Sequence, residues 1–467
     1  MKNLIIAVTF TAAVSVLVSC KKELNALPAQ AKVEGNAIVD QKSAQVALNG
    51  VYLRFAEGGD DRGTPSILWA RSHEAPPSVL AGNHRQSNGV TPFEENSQIT
   101  ASDYSAGNIW SNAYSLVNAA NGVIDQINVL PESKFSGSRR AEILAEARLL
   151  RAYGHYNLLR YFAQFYDLNS SLGVMLRLEF VSTNNIAKKR NTVKESYDAI
   201  LSDLDDAIAH APISSVNYYG NQWVAKAFKA RVLMLRGSAG DYAQVVSLTQ
   251  DIIQHSPYVL EGNLRDIFST KGLGSKEVML GLVPKPGQVS KSDTYFFRNS
   301  AQFLATAYFK SLMTGDPRGS WVIGTVGTSL DGIAKYMGPK VEESYALRLT
   351  EVYLLQAEGI IRSGGSLSDA RALLKNIMAH AGVTNFTAVD NATTPDQLLL
   401  EVHKETVRNL SFEDGQDWTS LLRLPLATVL QIKPAITDKN HFILPIPAVE
   451  FEKNPTIGEQ NPGYNKN

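Results

Sequence analysis

A chain of 467 residues that is 44% hydrophobic carries enough apolar material for one large domain or for two or three ordinary ones. Its 45 basic and 45 acidic side chains cancel, which excludes the basic excess expected of a nucleic-acid binder. A single cysteine rules out a disulfide within the chain, so stability must come from packing.

The first twenty residues read as a targeting segment. Lys2 opens it, and Leu4 to Val18 is an apolar run too short to span a bilayer comfortably. It ends in Leu17-Val18-Ser19-Cys20, which resembles a bacterial lipobox, a signal cut before the cysteine that then receives lipid. Residues 1–20 are therefore expected to be a lipoprotein signal peptide and Cys20 the lipidation site. Residues 21–34 are polar and read as a tether.

Asp40 to Phe55 predicts a first helix, with Asp40 or Ser43 near its cap and Ala44, Ala47, Leu48 and Val51 on its buried face. Residues 56–100 are rich in Gly, Asn, Pro and Ser, hold no sustained period, and read as a long functional loop. Helical pattern returns at Ser102, kept by apolar residues from Ile109 to Ile127, and stops at Pro131. Arg139 to Tyr166 follows as one long helix. It has two apolar stripes, one through Ile143, Leu150, Gly154 and Leu158, the other through Leu149, Ala152, Tyr156 and Leu159. A helix apolar on two faces is packed on two sides, so its Arg148 and Arg151 need carboxylate or carbonyl partners.

Val193 to His210 is a further helix. Helical hairpins are then expected around Gly237 to Gly240 and around Ser363 to Ser366, with a last helix over Pro395 to Phe412. Trp223 to Pro257 spans close to the tetratricopeptide period of about 34 residues, and Leu349 to Ala381 places small and turn residues similarly. The fold expected is mostly α, a tetratricopeptide-like slab of helical hairpins carrying an irregular, long-loop ligand face built from 56–100 and 256–340. Short β-like runs such as Glu277 to Val283 interrupt the second loop.

Several segments name a family. Leu444-Pro445-Ile446-Pro447, then Glu450, Asn454-Pro455 and Gln460-Asn461-Pro462-Gly463-Tyr464, resemble the ending of SusD/RagB-type lipoproteins of Bacteroidota. Ala47 to Tyr52, Trp110 to Ile124, Glu146 to Tyr153, Tyr197 to Ile208 and Arg348 to Glu358 resemble its helices in order. Gln416 and Thr419 stand where the family tends to carry Arg and Asp. The resemblance implies a signal peptide, a SusD-like N-terminal half over 21–215 and a C-terminal half over 216–467. It also implies a lipid-anchored protein on the outer face of the outer membrane. Such a protein caps a SusC-like TonB-dependent transporter and hands over oligosaccharides, or sometimes peptides or glycoconjugates.

Catalytic constellations are missing from the sequence. Its eight histidines form no His-x-x-x-His pair, and there is no Gly-x-Ser-x-Gly elbow and no Walker loop. Asp60-Asp61 is a loop pair that also suits a glycosidase carboxylate or a calcium ligand. The reading is a binding protein with no enzyme activity, metal or cofactor. A surface hydrolase and a purely protein-binding scaffold remain the alternatives. Sugars pack their C–H faces on aromatic rings and pair their hydroxyls with polar side chains. The aromatic and polar residues of the two loops are therefore the ligand-binding candidates: Trp69, Arg71, Asn83, Tyr295, Phe296, Arg298 and Trp321. Trp110, Trp223 and Trp418, on helices, are expected in the core.

Overall fold

The computed structural model describes residues 37–56, 69–96, 98–284 and 288–467; Cys20, the tether and Asp60-Asp61 lie outside these. The framework is helical: α1 (Gln41–Ala56), α2 (Ala75–Leu80), α3 (Tyr104–Asn128), α4 (Arg139–Phe162), α5 (Val193–His210) and α6 (Gln222–Arg236). It continues with α7 (Asp241–His255), α8 (Leu349–Arg362), α9 (Leu367–His380), α10 (Pro395–Leu410) and α11 (Gln416–Leu422). From α3 to α9 each helix packs on the next, which is the stacking of a tetratricopeptide-like slab. Among the described residues no helix is long and apolar enough to cross a membrane.

Local chemistry sets the helix ends. The Asp40 carboxylate accepts from the Ser43 amide at 2.8 Å and so caps α1. Thr192 with Glu195, and Thr394 with Gln397, form reciprocal capping boxes at α5 and α10. Gly237 ends α6 in the left-handed region, φ 62°.

The central helix α4 is buried along nearly all its length between α3, α5 and α1. A Cβ on Gly154 would stand 2.6 Å from Val117 Cγ2 and 3.0 Å from the Ala113 carbonyl, so glycine permits α3 to approach. Arg151 forks onto Asp203 at 2.7 and 2.8 Å, and Arg148 reaches Asp206 at 2.7 Å. The terminal string satisfies carbonyls at the buried C-terminal end of this helix. The Leu444 amide donates to Tyr161 O at 2.6 Å, and Asn461 Nδ2 and Arg190 donate to Phe162 O at 2.9 and 3.0 Å.

Both long loops hold more order than their composition suggests. In 56–100, a π-turn over Ala70–Glu74 runs into α2, started by Pro76-Pro77. In 256–340 lie most of the strands. In chain order the strands are β1 (His84–Gln86), in the first loop, then β2 (Val278–Leu282), β3 (Phe296–Phe297), β4 (Ser300–Ala301), β5 (Phe303–Ala305), β6 (Ile323–Val326) and β7 (Ser329–Ile333) in the second, and β8 (Ser344–Arg348) just after it. One antiparallel sheet has the order β1-β5-β7-β6; β2 pairs with β8, and β3 with β4. These elements are too short to leave a readable period. One continuous apolar core runs through both halves of the chain.

A buried charge network ties sheet and slab together. Phe412, Asp414 and Gly415 all sit at positive φ (60°, 48° and 65°), a tight turn that presents Glu413 and Asp414 inward. Asp414 accepts from Tyr153, Arg231 and Arg160 at 2.7, 2.7 and 2.9 Å. Glu413 takes Lys335 and Arg348, each at 2.6 Å. Burial alone raises the Asp414 carboxyl, but Arg160, His73 and Arg231 outweigh it and hold it well below the usual carboxylate range. Gln416 and Thr419, the family departures, bond the turn's own backbone at Asp414 O and Gly415 O.

Candidate functional site

Three of the sequence candidates belong to the core, which corrects their assignment to the ligand face. The Trp69 ring is wholly buried, stacked on His73 at 4.0 Å and edge-on to Phe55 at 5.0 Å. Asn83 is buried and donates to Asp417 at 3.0 Å. Tyr295 is buried, and its hydroxyl donates to Glu74 at 2.5 Å, beside the Glu74–Lys291 ion pair at 2.9 Å. The π-turn thus brings Trp69 and Tyr295 into one buried neighbourhood through His73 and Glu74. Loop aromatics were the natural candidates by sequence, yet each ring here fastens its loop to the slab.

The remaining candidates are accessible. Arg71 is half-buried on the π-turn. Phe296 is half-buried on β3, and Arg298 is exposed at the tip of the β3–β4 hairpin. Arg298 and Asn299 both take positive φ, 49° and 62°, the two-residue turn that fits the strand twist. The Arg298 guanidinium lies 5.2 Å from the centre of the exposed Phe297 ring. The turn is held from the side: Thr328 donates to Asn299 O through both its amide and its hydroxyl, at 2.9 and 3.0 Å. Trp321 is half-buried against Phe268, ring centres 5.7 Å apart, whereas Trp69 packs on His73 and Phe55. Of the helical tryptophans, Trp110 and Trp418 are core, whereas Trp223 is half-buried under Lys226.

The site that sequence reasoning missed lies beside α1. Tyr52, Leu53, Phe55 and Ala56 of α1, the Tyr218-Tyr219 pair before α6, and Gly281 to Val283 enclose a cavity of about 260 Å³. Three tyrosines step outward from core to surface. Tyr52 meets Tyr219 edge to face at 4.7 Å, and Tyr219 meets Tyr218 at 5.0 Å. The Tyr52 hydroxyl is committed, donating to Glu146 at 2.7 Å and accepting from the Gly220 amide at 2.6 Å. Burial, with Glu146 beside it, pushes this phenol well above its ordinary value, so it stays protonated. A Cβ on Gly220 would stand 2.5 Å from Leu149 Cδ2, so glycine lets the tyrosine pair lie down on α4.

At the rim, Asn49 Oδ1 accepts from Gln45 at 3.0 Å and from the Tyr219 hydroxyl at 3.1 Å, and its Nδ2 has no partner among the described residues. Asn49 and Tyr219 also border a polar depression of about 470 Å³ that contains Gln45, Arg139, Glu142 and Glu146. The result is a half-exposed aromatic cavity opening onto a cleft of amides and charges along one helix. The Tyr-Tyr-Gly run after Pro212 was the available signal, but nothing in the sequence says that it folds against α1. Among the described residues no group of His, Cys, Asp and Glu could hold a metal ion.

The comparisons agree with this architecture. Residues 69–234 match the SusD-like model described as "Starch-binding associating with outer membrane", and residues 334–435 match the SusD family model, together more than half of the chain. A SusD-like protein of Bacteroides ovatus is 23% identical over 330 residues, covering 59% of this chain and only 59% of its own length. SusD-like protein P2 of Formosa agariphila is 20% identical over 98% of this chain and 99% of its own. Among solved structures, a SusD superfamily protein of Bacteroides thetaiotaomicron superposes with a TM-score of 0.74 at 22% identity, covering 91% of this chain and 100% of the other. A laminarin-binding SusD-like protein superposes with a TM-score of 0.70 at 20% identity, covering 91% and 100%. With its slab, its terminal string and two family models in chain order, the chain belongs to the SusD/RagB family.

Proposed function

We propose that this protein binds an oligosaccharide at the tyrosine cavity beside α1 and passes it to a SusC-like TonB-dependent transporter. It would do so while held by lipid at Cys20 on the outer face of the outer membrane. The observation that carries the reading is the cavity itself: accessible Tyr218 and Tyr219 rings next to an Asn49 amide whose donors have no partner among the described residues. This is the pairing of apolar platform and hydrogen-bonding edge that a sugar ring requires. The laminarin-binding relative and the starch-binding description support the ligand class. Arg71, Phe296, Arg298 and Trp321 remain proposed contacts at other accessible positions.

The test is calorimetric titration with a panel of neutral oligosaccharides, laminarin and starch fragments included. Tyr218→Ala and Tyr219→Ala should each weaken binding about tenfold, the effect of removing roughly 1.4 kcal/mol of contact, with the melting temperature nearly unchanged. If Arg298→Ala or Trp321→Ala weakens binding and the tyrosine variants do not, the site lies at those positions and the cavity assignment is wrong.

A further inference from the structure

The cavity beside α1 is the first of three depressions in a row. At about 260 Å³ it lies below the roughly 300–1,000 Å³ of sites that enclose a drug-sized ligand. It seats one sugar ring, so the rest of an oligosaccharide held there must run out of it. Asn49 and Tyr219 lead into the polar cleft of about 470 Å³. Gln45, in that cleft, also borders a third depression of about 560 Å³, between the start of α1 and the segment holding Lys134 and Ser136.

One helix face aligns the three. Gln41, Gln45, Asn49 and Tyr52 recur at steps of three and four, so they stand in a row on α1. From residue 41 to residue 53 the helix rises about 18 Å at 1.5 Å per residue. The protein itself occupies each carboxamide oxygen of this row. Gln41 accepts from the Ser136 amide at 2.8 Å, Gln45 from Arg139 at 2.5 and 3.2 Å, and Asn49 from Gln45 and Tyr219. These bonds hold the row in place, and what it has left to offer is N–H, which a sugar hydroxyl oxygen accepts.

The charge changes along the row. Among the described residues no charged group lines the tyrosine cavity. In the cleft, Arg139 Nη1 lies 3.0 Å from both Glu142 and Glu146, while its Nε and Nη2 are spent on Gln45. Glu142 is the accessible carboxylate, with 25% of its side chain exposed against 3% for Glu146. Partial burial raises the Glu142 carboxyl, but Ser138 and Arg139 outweigh it and hold it below the usual range. In the third depression Lys42 and Lys134 outnumber Asp40. The order is uncharged, acidic, basic.

We infer that the ligand is an oligosaccharide of at least three units lying along α1, and that Glu142 admits an uncharged middle unit and turns away one bearing a carboxylate. This rests on the reading of the tyrosine cavity as a sugar site. A carboxylate on the middle unit would meet Glu142 with Arg139 already engaged, and like charges brought together at an interface cost affinity. The same group on an end unit can lie by Lys42 and Lys134 instead.

The probes are neutral laminarin and starch fragments of one to five units, and the matching trisaccharides with one primary hydroxyl oxidised to a carboxylate, on the middle or on an end unit. Calorimetric titration of the full chain should show affinity rising about tenfold or more from one unit to three. Against the neutral trisaccharide, the middle-unit carboxylate should lose about tenfold or more and the end-unit carboxylate about threefold at most. Glu142→Gln, which can keep the bonds to Ser138 and Arg139, should cut the middle-unit loss to about threefold or less. Should that variant melt early, Gln45→Ala tests the same path: it should weaken the trisaccharide and leave the single sugar unchanged. Absence of binding by every neutral fragment overturns the oligosaccharide reading and this inference with it. Binding that needs Tyr218 and Tyr219 yet does not grow with length, or that takes both acidic trisaccharides equally, overturns this inference alone, as does an undiminished middle-unit loss in Glu142→Gln.

Discussion

His84 shows how a residue can look like a site and be the opposite. It falls in a loop near arginine and asparagine, yet its ring is buried between Phe309 and Phe412, centres 4.4 and 4.2 Å away. Neither ring nitrogen has a partner among the described residues. Burial, with repulsion from Lys335, pushes its imidazole well below the ordinary range; burial likewise pushes His155 and His403 down to about 3. A histidine with a depressed folded pKa binds fewer protons folded than unfolded. Its contribution to stability is thus present above about pH 6.5 and is lost as pH falls toward the folded pKa. Each such group removes about 1.4 kcal/mol per pH unit in that window. His84→Phe should therefore flatten the acid-side loss by about this much, with little change at pH 7.5, since no hydrogen bond is given up. Denaturant unfolding at pH 7.5, 6 and 5 measures it; parallel losses in wild type and variant would show that His84 is not held neutral.

At the scale of elements, the contact between α3 and α4 decides how tightly the slab closes. Gly154 faces Val117 and the Ala113 carbonyl at distances that leave no room for a side chain. Gly154→Leu should cost about 1–3 kcal/mol by overpacking and lower the melting temperature by several degrees. Gly107, near the start of α3, has nothing within 4 Å of the position of an added Cβ. Gly107→Ala should hold or slightly raise the melting temperature, because alanine loses less backbone freedom in a helix. A thermal scan in which the two variants behave alike would contradict close approach at Gly154.

Across the whole molecule, the network around Glu413 and Asp414 ties the helical slab to the strand-bearing segment. The anchoring reading belongs to this scale. Because Cys20 is the sole thiol and ends an apolar run, Cys20→Ala should leave the precursor unprocessed or free the protein from the membrane fraction. Fractionation followed by immunoblotting reads this directly, and a processed variant that still sediments with membranes would defeat the lipid assignment. A single acyl chain holds a protein only weakly, so stable attachment at Cys20 needs several.

The helices were legible in the sequence because their apolar residues recur with the helical period, and their ends because Asp40, Thr192, Thr394 and Gly237 act locally. The family was legible in short strings such as Leu444 to Pro447, and the two-sided burial of α4 in its paired stripes. Which aromatic rings face solvent was decided by tertiary structure alone. Trp69 and Tyr295 sit in irregular segments, like ligand contacts, but long-range packing on Phe55 and a bond to Glu74 bury them. Tyr218 and Tyr219 became a cavity only because Gly220 lets them settle on α4 beside α1, residues distant in sequence. Periodicity is a property of neighbours in the chain, whereas a binding surface is made of residues that meet only after folding.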